Sequence, residues 1–434
     1  MPRPSRRTFL ASASTIAITR PFGSPLHGAE PPVTGAADPN LAPFDKLFHG
    51  FLAEHKVPGA GVAVTRNGKL VYARGFGFAD AEKKAPVHPD SLFRLASVSK
   101  PLTAVGVMLL VERGKVKLND PVLKHIKLKA AVPAGGQFDK RWEKVTVHQC
   151  LQHTGGWDRD KKGGFDPIGV PGRISRALAL NGAPTPDDIV RYMMGQPLDF
   201  DPGEKMVYSN LGYLVLGRVM EAVTGQGYEP WMRKHVFASV RAHELSLGKG
   251  LPEKRPRAEV RYYDAKGRTG ACLYPPRAGQ SVPLPDGGEN IEGFEAHGGW
   301  VASPVDLVRF AAALDYGHKS PLLSAESIKE MWARPAGLEP SKKPKDTYYG
   351  CGWSVRPVGN TDKASTWHSG LISGSSTLLV RRWDGLNWAV LFNTDATEKG
   401  TQPADLIDGP MHAAADAVKK WPAGDLFEKY HSGK

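Results

Sequence analysis

Apolar residues recur at helical spacing in 44–55, where Phe44, Leu47, Phe48, Phe51 and Leu52 fall on one face. Two strand-like runs follow, 61–65 and 69–74, on either side of Asn67-Gly68. That dipeptide tolerates the positive φ a tight hairpin demands. A continuous apolar run over 102–111, ending at Gly114, predicts a buried helix, and a second helix is predicted over 210–223, stopped by Gly225. Ser303-Pro304-Val305-Asp306 opens a third: serine at the cap, proline at the first helical position and an acid at the third. The pattern then returns to strands, with 348–356 as one and 375–382 and 387–392 as a hairpin around Asp384-Gly385. A last helix is expected over 405–419.

Strand patterns thus lie near both ends, and the middle, about 101–290, is mostly helical and rich in loops. The simplest architecture is α/β of the α+β kind. One antiparallel sheet, built from N- and C-terminal segments, is flanked by helices and carries a mostly helical inserted subdomain. The Pro- and Gly-rich segment 251–293 reads as an excursion near the site, with room for a small hairpin in 258–268. Residues 31–43 read as a linker leading into a domain over 44–425.

Composition narrows the class. With 434 residues, 41% hydrophobic, the chain has material for a large core, and 48 glycines and 36 prolines imply many loops. No run of 18 apolar residues exists, so no transmembrane segment is expected. Three cysteines, Cys150, Cys272 and Cys351, make no disulfide framework and are expected as free, buried thiols. The net charge of +13 is scattered, with no run of five Lys or Arg. It reads as a solvated basic surface, not a nucleic-acid partner. The N-terminus, Ser5-Arg6-Arg7-Thr8-Phe9-Leu10-Ala11, then a weakly apolar run to Ile18 and a closing Arg20, resembles a twin-arginine export signal over residues 1–30. This implies a periplasmic or extracellular location.

The chain has no G-x-S-x-G elbow, no H-E-x-x-H, no paired C-x-x-C, no P-loop and no G-x-G-x-x-G. It does have Ser97-Val98-Ser99-Lys100 at the start of the buried helix. Serine and lysine three apart share a helix face. A serine hydroxyl needs a neighbour to take its proton, and a lysine does so when burial lowers its pKa. A second copy, Ser246-Leu247-Gly248-Lys249, lies in a Gly-rich stretch and is set aside. Tyr208-Ser209-Asn210 is the one Y-x-N, with Tyr208 on a loop and Asn210 expected at a helix cap. His368-Ser369-Gly370 leads toward the C-terminal strand pair. His153 and His297 also head H-x-G triplets; His153 is expected to close a helix before a turn, and His297 to sit in a loop or strand entry.

The order S-x-x-K, Y-x-N, H-x-G resembles the serine β-lactamase and penicillin-binding-protein superfamily. Its class C β-lactamase-like branch includes family VIII esterases, D-alanyl-D-alanine carboxypeptidases and D-aminopeptidases. The segments 92–96, 145–157, 298–310 and 349–353 look like family segments too, and the resemblance covers about 44–396. It implies a β-lactamase/transpeptidase-like fold and no metal or organic cofactor. It further implies Ser97 as acylated nucleophile, with Lys100 or Tyr208 as general base. Asn210, His368, Ser369 and Gly370 would bind substrate, and the backbone N–H groups of Ser97 and Leu371 would form an oxyanion hole. Two departures stand out: His368 replaces the lysine of K-T-G, and 234–248 lacks the family's P-L-G-M. The expected substrate is a small-molecule ester first, then D-amino-acid amides or cell-wall peptides, then β-lactams. A non-catalytic binding protein that keeps the fold is the rival of another class. The oligomeric state is left open.

Overall fold

The computed structural model describes residues 31–337, 347–359, 361 and 363–430; the export-signal reading falls on residues outside these. Eight strands form the body of the main sheet: β1 (Val33–Thr34), β2 (Gly59–Arg66), β3 (Lys69–Asp80), β4 (Tyr348–Tyr349), β5 (Ser354–Pro357), β6 (Ala364–Ile372), β7 (Ser375–Arg381) and β8 (Leu386–Phe392). Their order is β1-β3-β2-β8-β7-β6-β5-β4, every neighbour antiparallel, with Ala85–Pro86 added alongside β3. The join is at the centre, where β2 pairs with β8 through Val62↔Val390 and Val64↔Trp388. The two chain ends thus make one sheet, as the pattern predicts.

Six helices matter for the site: α1 (Ala42–His55), α2 (Ser99–Glu112), α3 (Asn210–Thr224), α4 (Ile291–Gly298), α5 (Pro304–Ala313) and α6 (Pro403–Ala417). Strand alternation divides the sheet's side chains into two cores. Val62, Val64, Trp388 and Val390 meet Phe44, Phe48 and Phe51 of α1 and Ile407 and Met411 of α6. Ala63, Leu379, Ala389 and Leu391 face the opposite way, toward α5 and the inserted helices. Each fully buried aromatic or aliphatic side chain contributes about 1.5–3 kcal/mol by transfer from water. The N-terminus of α5 is capped as its sequence implies, Ser303 Oγ accepting the Asp306 N–H at 3.1 Å. The Asn67-Gly68 hairpin takes the expected positive φ angles of 49° and 78°.

Several expectations are corrected. The stretch 31–43 is no plain linker: β1 pairs with β3, and a short turn over Pro39–Leu41 feeds α1. The stretch 348–356 is two strands, β4 and β5, folded on each other. The reversal between them needs Gly352 at φ 84°, where a Cβ would stand 2.5 Å from the Ala104 methyl of α2. Residues 258–268 hold no hairpin. Leu92↔Glu259 and Tyr263↔Thr394 are single bridges that tie this stretch to the body, and the excursion's hairpin is Thr269–Ala271 with Ser281–Pro283. The three cysteines are free and buried. Among the described residues no helix is long and apolar enough to cross a membrane.

Candidate active site

The chain approaches Ser97 through a short strand, Phe93–Arg94, paired to Trp300–Ala302. The carbonyls of Arg94 and Leu95 accept from Ser375 Oγ and Thr377 Oγ1 of β7, each at 2.8 Å. Ala96 then takes a left-handed φ of 48°, unusual for a residue with a side chain. This held strain turns Ser97 out at the mouth of a single helical turn, Ala96–Val98, just ahead of α2. Strain of this kind persists where the surroundings over-determine it.

Lys100, the second residue of α2, is fully buried. Its Nζ lies 3.0 Å from Ser97 Oγ, 2.7 Å from Asn210 Oδ1 and 2.9 Å from the His297 carbonyl oxygen. Two of these neighbours can only accept. A neutral amine gives its two N–H groups to them, and its lone pair is then aimed at the Ser97 hydroxyl. Burial pushes the Lys100 pKa well below the usual lysine range, against a smaller opposing pull from Asp166.

Tyr208 precedes α3, and its phenol lies close enough to the Ser97 side chain for that neighbour to pull its pKa down against the larger effect of burial. Its ring has Lys100 Nζ 4.8 Å and Arg159 Cζ 4.9 Å from the centroid. Burial raises its pKa above the usual tyrosine range, so the phenol is neutral. Asn210 is not the helix cap expected from the sequence. Ser209 takes that position, and Asn210 is the first helical residue, its side chain turned inward to Lys100. Asn210 Nδ2 donates to Asp166 Oδ2 at 2.7 Å.

His368, Ser369, Gly370 and Leu371 lie on β6. β5 pairs with β6 only as far as Trp367, so from His368 to Ile372 the strand has β7 on one side and an open backbone edge on the other. Gly370 brings this strand against the nucleophile turn: a Cβ there would stand 2.3 Å from the Leu95 oxygen and 3.1 Å from Ala96 Cβ. Leu371 is half exposed at this edge. His368 Nδ1 lies 2.6 Å from the Ser369 carbonyl oxygen, which can only accept, so Nδ1 carries the ring proton. Nε2 therefore accepts from the Tyr349 hydroxyl at 3.0 Å. Both ring nitrogens are occupied by protein. Burial, followed by the nearby Lys100 charge, pushes the His368 pKa down to about 3.

This depression has a sign in stability. Below the free-histidine value of about 6.5 the unfolded chain takes up a proton that the folded one refuses. The contribution is complete above that value and is lost as pH falls toward 3. We expect His368→Gln to flatten the pH dependence of urea unfolding between those limits, by roughly 3–5 kcal/mol across the window. Parallel curves for the variant and the natural chain would exclude this account.

Two further H-x-G histidines, expected from the sequence in structural roles, both lie against the candidate site residues. His153, at φ 61° after the short helix Val147–Leu151, accepts the Ser209 N–H at Nδ1 (3.2 Å) and lies 4.3 Å, centroid to centroid, from the Tyr208 ring. His297 lies in the last turn of α4, past a break at Glu295 (φ 31°) and just ahead of the strand Trp300–Ala302, so the strand-entry expectation fits better than a loop, and its carbonyl holds Lys100. Burial keeps both rings neutral. The second S-x-x-K has no helix: Ser246–Leu247 is a strand, and the Lys249 carbonyl accepts from Arg94. Arg159 and Asp166 carry no local motif, and only the fold reveals them; Tyr349 opens the family-like segment 349–353, but its bond to His368 is seen only in the fold.

A buried S-x-x-K lysine between a Y-x-N turn and an H-x-G strand, at the junction of an antiparallel sheet and a helical region, defines the β-lactamase and penicillin-binding-protein superfamily. The chain belongs to the Beta-lactamase family, whose model matches residues 44–408. It is 33% identical to esterase EstB of Burkholderia gladioli over 252 residues, 57% of this chain and 59% of that protein. It is 28% identical to penicillin-binding protein 4* of Bacillus subtilis over 349 residues, 78% of this chain and 68% of that one. The match to EstB thus spans less than two thirds of that relative's length. Among solved structures, the octameric penicillin-binding protein homologue from Pyrococcus abyssi superposes with a TM-score of 0.64 at 25% identity, covering 88% of this chain and 78% of that one.

Proposed function

We propose that the protein is a serine hydrolase that works through an acyl-enzyme on Ser97, with esters of uncharged acids as its main substrates. One observation carries this reading: the Lys100 amine, wholly buried, is 3.0 Å from Ser97 Oγ while two obligate acceptors occupy its N–H groups. Lys100 takes the Ser97 proton as Oγ bonds to the substrate carbonyl carbon. The neutral Tyr208 phenol, beside Ser97 and with Lys100 Nζ 4.8 Å from its ring centroid, passes a proton on to the leaving oxygen and is reprotonated from Lys100. Water then repeats the attack in reverse roles and frees Ser97. The Ser97 and Leu371 N–H groups hold the developing oxyanion, which is why Gly370 must seat its strand so near Ala96.

The preference for esters over D-alanyl peptides or β-lactams is supported by His368. It is neutral with both nitrogens engaged, so the third motif offers no fixed cation for a substrate carboxylate. The likeness to EstB agrees with this choice, and the likeness to penicillin-binding protein 4* keeps amides as the second substrate class. The test is intact-mass labelling with a fluorophosphonate beside Ser97→Ala, followed by p-nitrophenyl esters, D-alanyl peptides and nitrocefin. One adduct, absent from Ser97→Ala, with esters turned over fastest, is the expected result. A folded protein with neither adduct nor turnover would point to a binding protein instead.

Export by the twin-arginine route, to the periplasm or beyond, is proposed from the Arg6-Arg7 segment. Replacing both arginines by lysine is expected to retain the protein in the cytoplasmic fraction. Unchanged fractionation would remove this reading.

A further inference from the structure

The loop that follows Trp157 places two opposite charges against the site, and no sequence motif marks them. Asp166 is held at both oxygens. Its Oδ1 accepts the Ile168 N–H at 3.3 Å. Its Oδ2 accepts from Asn210 Nδ2 at 2.7 Å and from Arg159 NH1 at 2.8 Å. Arg159 in turn lies over the Tyr208 ring, 4.9 Å from its centroid, with Lys100 at 4.8 Å from the same point. The loop has its own anchors: the Asp158 N–H donates to Asp199 at 2.6 Å, and Lys205 Nζ donates to Asp158 at 3.0 Å.

We propose that Arg159 and Asp166 act as an opposed pair of positioning residues, fixing the Asn210 amide and balancing the charge seen by Lys100 and Tyr208. The proposal rests on the acyl-enzyme reading of Ser97 for its catalytic meaning. The first half follows from hydrogen-bond chemistry. An asparagine amide has a donor end and an acceptor end of nearly the same shape. The Asp166 carboxylate takes only the donor end, so the acceptor end, Oδ1, is the one presented to Lys100. A flipped amide would point N–H groups at the amine and displace it from Ser97.

The second half follows from the signs. A negative charge at Asp166 favours the protonated forms of Lys100 and Tyr208; a positive charge at Arg159 disfavours them. Both directions are found at both residues. The other groups that face the dyad carry no charge that offsets the pair: His153 and His368 beside Tyr208, and His297 beside Lys100, are kept neutral by burial. Tyr213 and Tyr349, the phenols beside them, are raised further from ionisation. Among the described residues, Arg159 and Asp166 are thus the two charged side chains set against Lys100 and Tyr208, and removing either leaves the other unbalanced.

The test uses the full chain, Arg159→Met, Asp166→Asn and the double variant, each checked for folding by thermal unfolding. Lys100 is followed directly by the pH titration of its 13Cε resonance, assigned by its loss in Lys100→Met. The acid limb of kcat/KM for a p-nitrophenyl ester is measured alongside. Arg159→Met is expected to raise the Lys100 titration by about 0.5–1 pH unit, and Asp166→Asn to lower it by a similar amount, as Coulomb's law allows for partly exposed charges this close. The double variant should return toward the starting value, and Arg159→Lys should largely restore it. The acid limb should move in the same senses. Shifts in the same direction, or no shift in folded variants, would overturn the proposal. The resonance needs no turnover, so activity surviving in Ser97→Ala would sink the acyl-enzyme reading while the titration shifts still decide whether the pair sets the charge at Lys100.

Discussion

Lys100→Met is expected to remove nearly all hydrolysis while leaving the fold in place. The side chains have similar length, and methionine fills the same buried channel without an ionisable group. Loss of a positioned base costs about 10²–10⁴-fold, and here the same group also feeds the proton relay through Tyr208, so kcat/KM is expected near the upper end of that range. Ser97→Ala should fall further, by roughly 10⁴–10⁶-fold, since the covalent route itself is gone. Stability responds differently. The Asn210 oxygen and the His297 carbonyl lose their partner, at about 1–3 kcal/mol for each buried acceptor. Against that, a buried amine no longer has to be desolvated. The two effects oppose each other, so the melting temperature should change little beside the activity. Steady-state kinetics on a p-nitrophenyl ester, with calorimetry on the same samples, check both halves. Activity within tenfold of the natural chain would exclude Lys100 as the base.

Gly370→Ala is the second large effect, and it comes from one methyl group. The added carbon would stand 2.3 Å from both the Leu95 oxygen and Thr377 Oγ1. Both neighbours hold the nucleophile turn to the sheet, so neither can yield without moving Ser97. Overpacking of this kind costs about 1–3 kcal/mol. A displacement near 1 Å between nucleophile and oxyanion donors costs about 10²-fold in rate. We expect a lower melting temperature together with slow or absent fluorophosphonate labelling. Gly50→Ala is the opposite control. Gly50 is exposed in α1 with nothing within 4 Å of a new Cβ, and helix propensity should stabilise that variant by about 0.5–1 kcal/mol. A Gly370→Ala protein labelled as fast as the natural chain would show that β6 does not set the site.

The likeness to esterase EstB and to penicillin-binding protein 4* leaves the acyl group open, and the proposed preference for esters rests on the neutral His368. A lysine at that position would stay cationic only if the pocket solvated or paired it. The same burial that depresses Lys100 would act there too. Substrates with a carboxylate would then need another cation. Arg159 is already committed to Asp166, which is in keeping with the proposed preference for uncharged acyl groups.

What the sequence determined by itself is what short-range chemistry encodes. The alternation of β2, β7 and β8, the helical stripe of Phe44, Phe48 and Phe51, the Ser303 cap and the Asn67-Gly68 turn are local preferences that the fold does not override. Ser97, Lys100, Tyr208, Asn210 and His368 were legible because each lies in a motif with local spacing, and their order along the chain suggested that they meet. The tertiary structure decided the rest, because it depends on contacts between residues far apart in the chain. Only packing shows that the His297 carbonyl, 197 positions from Lys100, completes the amine's partners, or that Asp166 orients Asn210 across 44. The split of 348–356 into β4 and β5 follows from the reversal at Gly352 against α2, which no local pattern announces. The neutrality of His368 is likewise a property of its burial and of the Tyr349 hydroxyl, because an imidazole's proton is placed by its surroundings and not by its neighbours in sequence.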